Sequence, residues 1–170
     1  MANNIITIEN KKDEKFLRRK TEDFDFEKFS RKEIFELISK MRAAMRAAHG
    51  IGLSANQIGL TYKMFVAEVP AQNGGTKFYS VFNPKIEKTG TEKVPFEEGC
   101  LSVPLTYGTV ERPERITVVG QDKGSKHIKI KAWGLLARVF QHEIDHLEGR
   151  LFIDKAKNIQ RVESRIKKHE

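Results

Sequence analysis

The sequence has one cysteine, one tryptophan and five prolines in 170 residues. A lone thiol cannot close an internal disulfide, so a reducing compartment and a cytoplasmic protein are expected. No apolar run is long enough to span a membrane. The start, Met1 to Glu9, lacks a basic stretch followed by an apolar one, and Asp13 and Glu14 soon follow. Neither a secretory signal nor a transit peptide is therefore expected. There is no internal repeat, low-complexity tract or linker, which favours one domain over 1–170. Acidic residues are the scarcer sign: 23 Asp and Glu against 31 Lys and Arg leave a net charge of +8. That excess fits an acidic partner such as RNA or an anionic surface, and fits mere solubility equally well.

What is present begins with a helix from about Arg31 to Ala48. Ser30 and Glu33 have capping-box spacing. Ile34, Leu37, Ile38, Met41, Met45 and Ala48 recur at helical spacing. A glycine-punctuated loop follows, His49-Gly50-Ile51-Gly52-Leu53-Ser54-Ala55-Asn56-Gln57. Strands are expected over Tyr62 to Val69, Lys77 to Asn83 and around Lys85 to Thr89, with a turn at Gln72-Asn73-Gly74-Gly75. Arg115 to Gln121 and Lys126 to Ala132 read as a hairpin around Asp122-Lys123-Gly124. A second helix should run from Leu135 to Glu148 and stop at Gly149. A weaker helix is expected from Asp154 to the end, with Ile159, Val162 and Ile166 as a thin apolar edge. The order predicts an α+β fold: antiparallel β-sheets around a central helix, with an N-terminal helix and a short C-terminal one.

The central helix carries His142-Glu143-Ile144-Asp145-His146. Residues four apart share a helix face, so both imidazoles can bind one metal ion, with Glu143 beside them to handle a proton. Cys100 sits in Glu98-Gly99-Cys100-Leu101-Ser102, which does not read as a core strand. Its other reading is a small buried apolar residue. Two histidines and a thiolate form a three-ligand set with one position open, the mark of a catalytic site. In the Gly50 to Gln57 loop, glycines two apart let the backbone approach something bulky, and Gln57 can present an amide. On that ground Gly52 joins the catalytic candidates.

Together these motifs resemble the peptide deformylase family. The resemblance rests on Gly50, Gly52, Leu53, Ala55 and Gln57; on Glu98 to Ser102; and on His142, Glu143, Asp145, His146, Leu147 and Gly149, in the family's order. It covers the chain from about Ile5 to the final helix. Three departures stand out. Lys11-Lys12-Asp13-Glu14 precedes Leu17-Arg18 where a proline-containing start is common, Tyr107 stands where many members have Arg, and Ser54 where many have Ala.

The resemblance implies removal of the formyl group from N-formylmethionine at the start of new polypeptides. Cys100, His142 and His146 would hold one divalent metal, with Fe(II) favoured and Zn, Ni or Co as other occupants. Glu143 would be the general base. The Gln57 side chain and the Leu101 backbone N–H would serve the oxyanion. Ile51, Leu135 and Val139 are the expected wall of a methionine pocket, and Glu98 is placed on the substrate side. Arg112 is read either as a partner of Asp145 or as an ordinary surface arginine. The partners expected are formyl-Met nascent peptides and the ribosome, through the basic run Lys155, Lys157, Arg161, Arg165, Lys167 and Lys168; no DNA and no membrane are expected. Two rival readings remain: a zinc peptidase completed by a downstream Glu163, and a non-catalytic ribosome-associated basic protein.

Overall fold

Ser30 caps the N-terminus of the long helix through the expected reciprocal pair. The Glu33 backbone N–H donates to Ser30 Oγ, and the Ser30 backbone N–H donates to Glu33 Oε2 at 2.7 Å. The computed structural model describes residues 5–162, and this helix is the second in it. The helices are α1 (Lys11–Leu17), α2 (Arg31–Ala47) and α3 (Gly134–Leu147). The strands are β1 (Gly52–Ser54), β2 (Met64–Pro70), β3 (Thr76–Thr89), β4 (Lys93–Cys100), β5 (Val103–Pro113), β6 (Arg115–Gln121), β7 (His127–Trp133) and β8 (Lys157–Arg161).

They form two antiparallel sheets, one of five strands in the order β1-β2-β3-β6-β7 and one of three in the order β4-β5-β8. Side chains alternate between the faces of a strand, and β2 uses both. Met64 and Val66 join the α2 core with Ile38, Met41 and Met45. Phe65, Ala67 and Val69 join the α3 core with Phe140, Ile144 and Leu147. Its apolar run Met64–Ala67, buried at every residue, is the pattern of a strand covered on both sides. α3 thus lies on one face of the larger sheet, and its other side meets the smaller sheet through Arg112 of β5.

The expected α+β architecture is the one found. The two segments expected over Lys77 to Thr89 are one 14-residue strand, irregular near Phe82 to Lys85, where Asn83 has φ +48°. α1 was not anticipated. It is short and polar, and its N-terminus is capped by Asn10, which accepts from the Asp13 N–H at 2.9 Å. Nor were β4 and β5 anticipated.

Over 154–162 the weak helix expected from Asp154 is not what is found. A single 3-10 turn at Phe152–Asp154 leads into β8, whose Gln160 lies opposite Tyr107 and whose Arg161 lies opposite Thr106. The open backbone edge of β5 takes up this segment, and its thin apolar spacing does not compete. Ile166, Glu163, Arg165, Lys167 and Lys168 lie outside the described residues.

Candidate active site

α3 begins at Gly134 (φ +58°) and ends before Gly149 (φ +73°). A side chain at Gly149 would collide with the Arg18 carbonyl, so α1 closes tightly over the helix end. Between these limits His142 and His146 stand one turn apart, their ring centroids 5.0 Å from each other. β4 ends at Cys100 and brings its thiol to the same point. Sγ lies 3.1 Å from His146 Nε2. The ligand atoms of Cys100, His142 and His146 all lie within 4.8 Å of one another. With metal–sulfur distances of about 2.3 Å and metal–nitrogen distances of about 2.0–2.1 Å, such a triangle fits around one ion.

The donor chemistry agrees. Burial alone would raise the Cys100 thiol, but the His146 and His142 imidazoles outweigh it and hold it well below its ordinary range. Burial alone would lower His142, but Cys100 and Glu98 hold it well above its ordinary range. A thiolate and imidazolium sharing charge in this way can exchange their proton for a divalent cation.

Glu98 lies behind His142. Its Oε2 accepts from His142 Nδ1 at 3.0 Å and from Arg112 Nη2 at 3.0 Å. Its Oε1 accepts from Arg112 Nε at 2.6 Å and from Arg138 Nη1 at 2.7 Å. Burial works to raise this carboxyl, yet His142 and Arg112 hold it well below the usual carboxylate range. An ionised carboxylate only accepts, so the proton sits on His142 Nδ1 and Nε2 faces the ligand triangle. Both oxygens are thus engaged by protein. Glu98 thus backs His142 through its carboxylate, and the residue also lines the cleft. Arg112 is buried, not a surface residue, and its Nη1 donates to Asp145 Oδ2 at 2.8 Å. Lys155 Nζ donates to the same oxygen at 2.8 Å.

Glu143 is buried on the other side of the triangle. Burial pushes its carboxyl up, against the pull of His142, His146 and Ser54. Ser54 Oγ lies 2.7 Å from Glu143 Oε2 and 2.9 Å from the Glu143 carbonyl. Gly52, two residues back on β1, faces the same carboxylate: a Cβ there would collide with Glu143 Oε1. The space is what requires glycine here, since Gly52 has no positive φ. Gln57 is fixed by its own amide. Its Oε1 accepts from the Ser54 N–H at 2.9 Å, while Nε2 points to Ser102 Oγ at 3.1 Å and Cys100 Sγ at 3.7 Å.

Gly52, Gln57, Glu98, Cys100, His142 and Glu143 line a cleft of about 450 Å³ that also takes in Leu101, Ile51, Leu135 and Val139. Every residue anticipated for the site lies on it except His146, which is buried beneath. Among the residues that were not anticipated, Phe96 and Leu105 are exposed on the rim beside Tyr107 and belong to the unanticipated β4 and β5. Arg138 stands four residues before His142, so its place on the ligand-bearing face was readable from helical spacing.

A family model described as Polypeptide deformylase matches residues 3–162. A peptide deformylase of Picosynechococcus sp. is 42% identical over 135 residues, covering 79% of this chain and 72% of its own. The crystal structure of a probable peptide deformylase from Synechococcus phage S-SSM7 matches with TM-score 0.79 and 45% identity, covering 89% of this chain and 97% of that one. A class I type b peptide deformylase from Acinetobacter baumannii with Met-Ala-Ser bound matches with TM-score 0.82 and 25% identity, covering 91% of this chain and 98% of that one. The chain belongs to the polypeptide deformylase family.

Proposed function

We propose that Cys100, His142 and His146 hold one divalent metal ion and that Glu143 moves the protons as a formyl group is removed from N-formylmethionine of new polypeptides. The whole chain is read as one catalytic domain. The carrying observation is the convergence of three ligand atoms within 4.8 Å of one another, beside a buried carboxylate, on one cleft. When bound, a divalent ion lowers the pKa of a coordinated water and polarises the formyl oxygen.

The protein groups do the rest. Glu143 takes the proton of the attacking water and later passes it to the leaving amine. The same carboxyl, which burial pushes up, serves both duties in turn, first as base and then as acid. Gln57 Nε2 and the Leu101 N–H donate to the oxyanion; the bond from Ser54 N–H fixes the Gln57 amide so that its NH2 faces the cleft. Ile51, Leu135 and Val139 receive the methionine side chain. The bound Met-Ala-Ser of the Acinetobacter baumannii structure begins with the residue that such a pocket would hold.

Fe(II) is the proposed native occupant on the family likeness, with Zn, Ni and Co as the other occupants the donor set accepts. The cytoplasm is the proposed location. No described helix is long and apolar enough to cross a membrane. The ribosome is the proposed partner, through the basic C-terminal run. Lys155 of that run is drawn to Asp145, which leaves the contact to its other cations.

Protein prepared without oxygen, with bound metal quantified, should deformylate a formyl-Met peptide. Cys100→Ala should lose metal and activity together. A fully metal-loaded wild-type protein that leaves the peptide intact would overturn the reading. For the ribosome, Arg165→Glu with Lys167→Glu and Lys168→Glu should abolish low-salt co-sedimentation while sparing a short peptide substrate.

A further inference from the structure

Ser54 is completely buried, and its hydroxyl reaches Glu143, the buried carboxylate of the cleft that no described ion pair holds. We infer that Ser54 is a positioning residue for the reaction: its hydroxyl pins Glu143 Oε2 so that Oε1 alone is presented to the water and to the leaving amine. The inference rests on the deformylase reading of the site.

The geometry divides the carboxylate in two. Ser54 and Gly52 are two residues apart on β1, so they face the same side of the strand. Ser54 offers a hydrogen bond 2.7 Å from Oε2. Gly52 offers only room, and Oε1 fills it, at the wall of the cleft. Among the described residues no protein group donates to Oε1. A general base needs this division: one oxygen held, one free for the proton. A glutamate side chain has three rotatable bonds, so a single short contact to a charged acceptor removes much of its freedom. Catalytic groups lose rate when displaced by even about 1 Å.

The second contact of Ser54 frames the rival explanation. Its Oγ also lies 2.9 Å from the Glu143 backbone carbonyl, which could tether β1 to α3 without touching the chemistry. A serine hydroxyl has one proton, so it serves these two acceptors by sharing or by alternation. The two roles separate when Glu143 becomes alanine, because the carbonyl remains and the carboxylate does not.

The test is a double-mutant cycle of Ser54→Ala and Glu143→Ala on the metal-loaded enzyme, with a Ser54→Thr variant that keeps the hydroxyl. Metal content, melting temperature, kcat and KM are read for each. Ser54→Ala should keep its metal and lower kcat about tenfold to a hundredfold, the usual cost of removing a group that orients a catalytic one. KM should stay within about twofold, because substrate contacts are intact. Ser54→Thr should recover most of the rate. In the Glu143→Ala background, Ser54→Ala should cause no further loss of kcat. A crystal structure of metal-loaded Ser54→Ala should show the Glu143 carboxylate displaced from its wild-type place.

A wild-type kcat in Ser54→Ala would overturn the inference. So would an unmoved carboxylate, or an equal loss of kcat and melting temperature in both backgrounds, which is what a tether predicts. A metal-loaded wild-type protein without action on formyl-Met peptide would instead defeat the deformylase reading itself.

Discussion

Against the five-stranded sheet, α3 buries Ala137, Phe140, Ile144 and Leu147 among Phe65, Val81, Ile116 and Val118. Against the three-stranded sheet it presents Arg138, His142 and Asp145, which meet Glu98 and Arg112. The apolar cluster of that smaller sheet has only Val103, Val110, Leu151 and Phe152 fully buried. One side of the helix is thus held by hydrocarbon and the other largely by charge. Apolar contact is non-directional and tolerates small shifts. A fork of guanidinium on carboxylate fixes angle as well as distance. The directional side carries Cys100 and orients His142, so the ligand triangle is set where precision is needed.

The helix itself serves both sides, and in the proposed mechanism its most consequential side chain for rate is Glu143. Glu143→Ala should keep the metal and lose activity by several orders of magnitude, beyond the roughly 10²–10⁴ of a proton-transfer group alone, because water activation is lost too. Near-normal turnover by a metal-loaded variant would refute its role. Next comes the charged side. Arg112→Met leaves Glu98 and Asp145 buried with fewer partners and should cost about 3–5 kcal/mol by denaturant titration. It should also weaken metal retention against a chelator, since Glu98 no longer holds His142 as firmly.

The hydrocarbon side should behave differently. Ile116→Val should cost about 0.5–1.5 kcal/mol and leave metal content and kcat unchanged. If it loosened the metal as much as Arg112→Met does, the contrast between the two sides would fail. The smallest effect is expected at Glu68, which Arg46 and then Arg42 lower from an ordinary 4.5 to about 2. A depressed carboxyl stabilises the fold above its unfolded value, and that contribution is lost as pH falls through the folded one. Glu68→Gln should therefore cost about 1 kcal/mol or less at neutral pH. The difference from wild type should persist at pH 4.5 and vanish as the pH approaches 2.

The contrast also governs what could be read from the residues. α2, α3 and the β6–β7 hairpin follow from periodicity, because each has one apolar face against hydrocarbon. β4 and β5 do not. Their buried members include Glu98 and Arg112, so the alternation that marks a half-buried strand is broken by charge. Cys100 was legible as a candidate ligand but not as the end of a strand. Glu98 was recognised as part of a motif, but its hold on His142 was not, because motif membership says nothing about which way a side chain points. Ser54 was visible as a departure from the family pattern, and only its distance to Glu143 gave it a purpose. The C-terminal segment could not be read locally at all, since the edge that orders it comes from residues some fifty positions earlier.

That edge has a consequence for how the molecule behaves in a crowd. β8 is exposed at every residue, and it is the rim of the smaller sheet. A bare strand rim is a template on which another chain can grow a sheet. Here the rim bears Lys157 and Arg161, both positive and both solvated. Like charges on approaching copies repel, so the strand that completes the sheet also discourages its extension. The short basic strand is thus a guard against self-association, and it keeps the Tyr107 end of β5 beside the cleft from becoming a seam for another molecule.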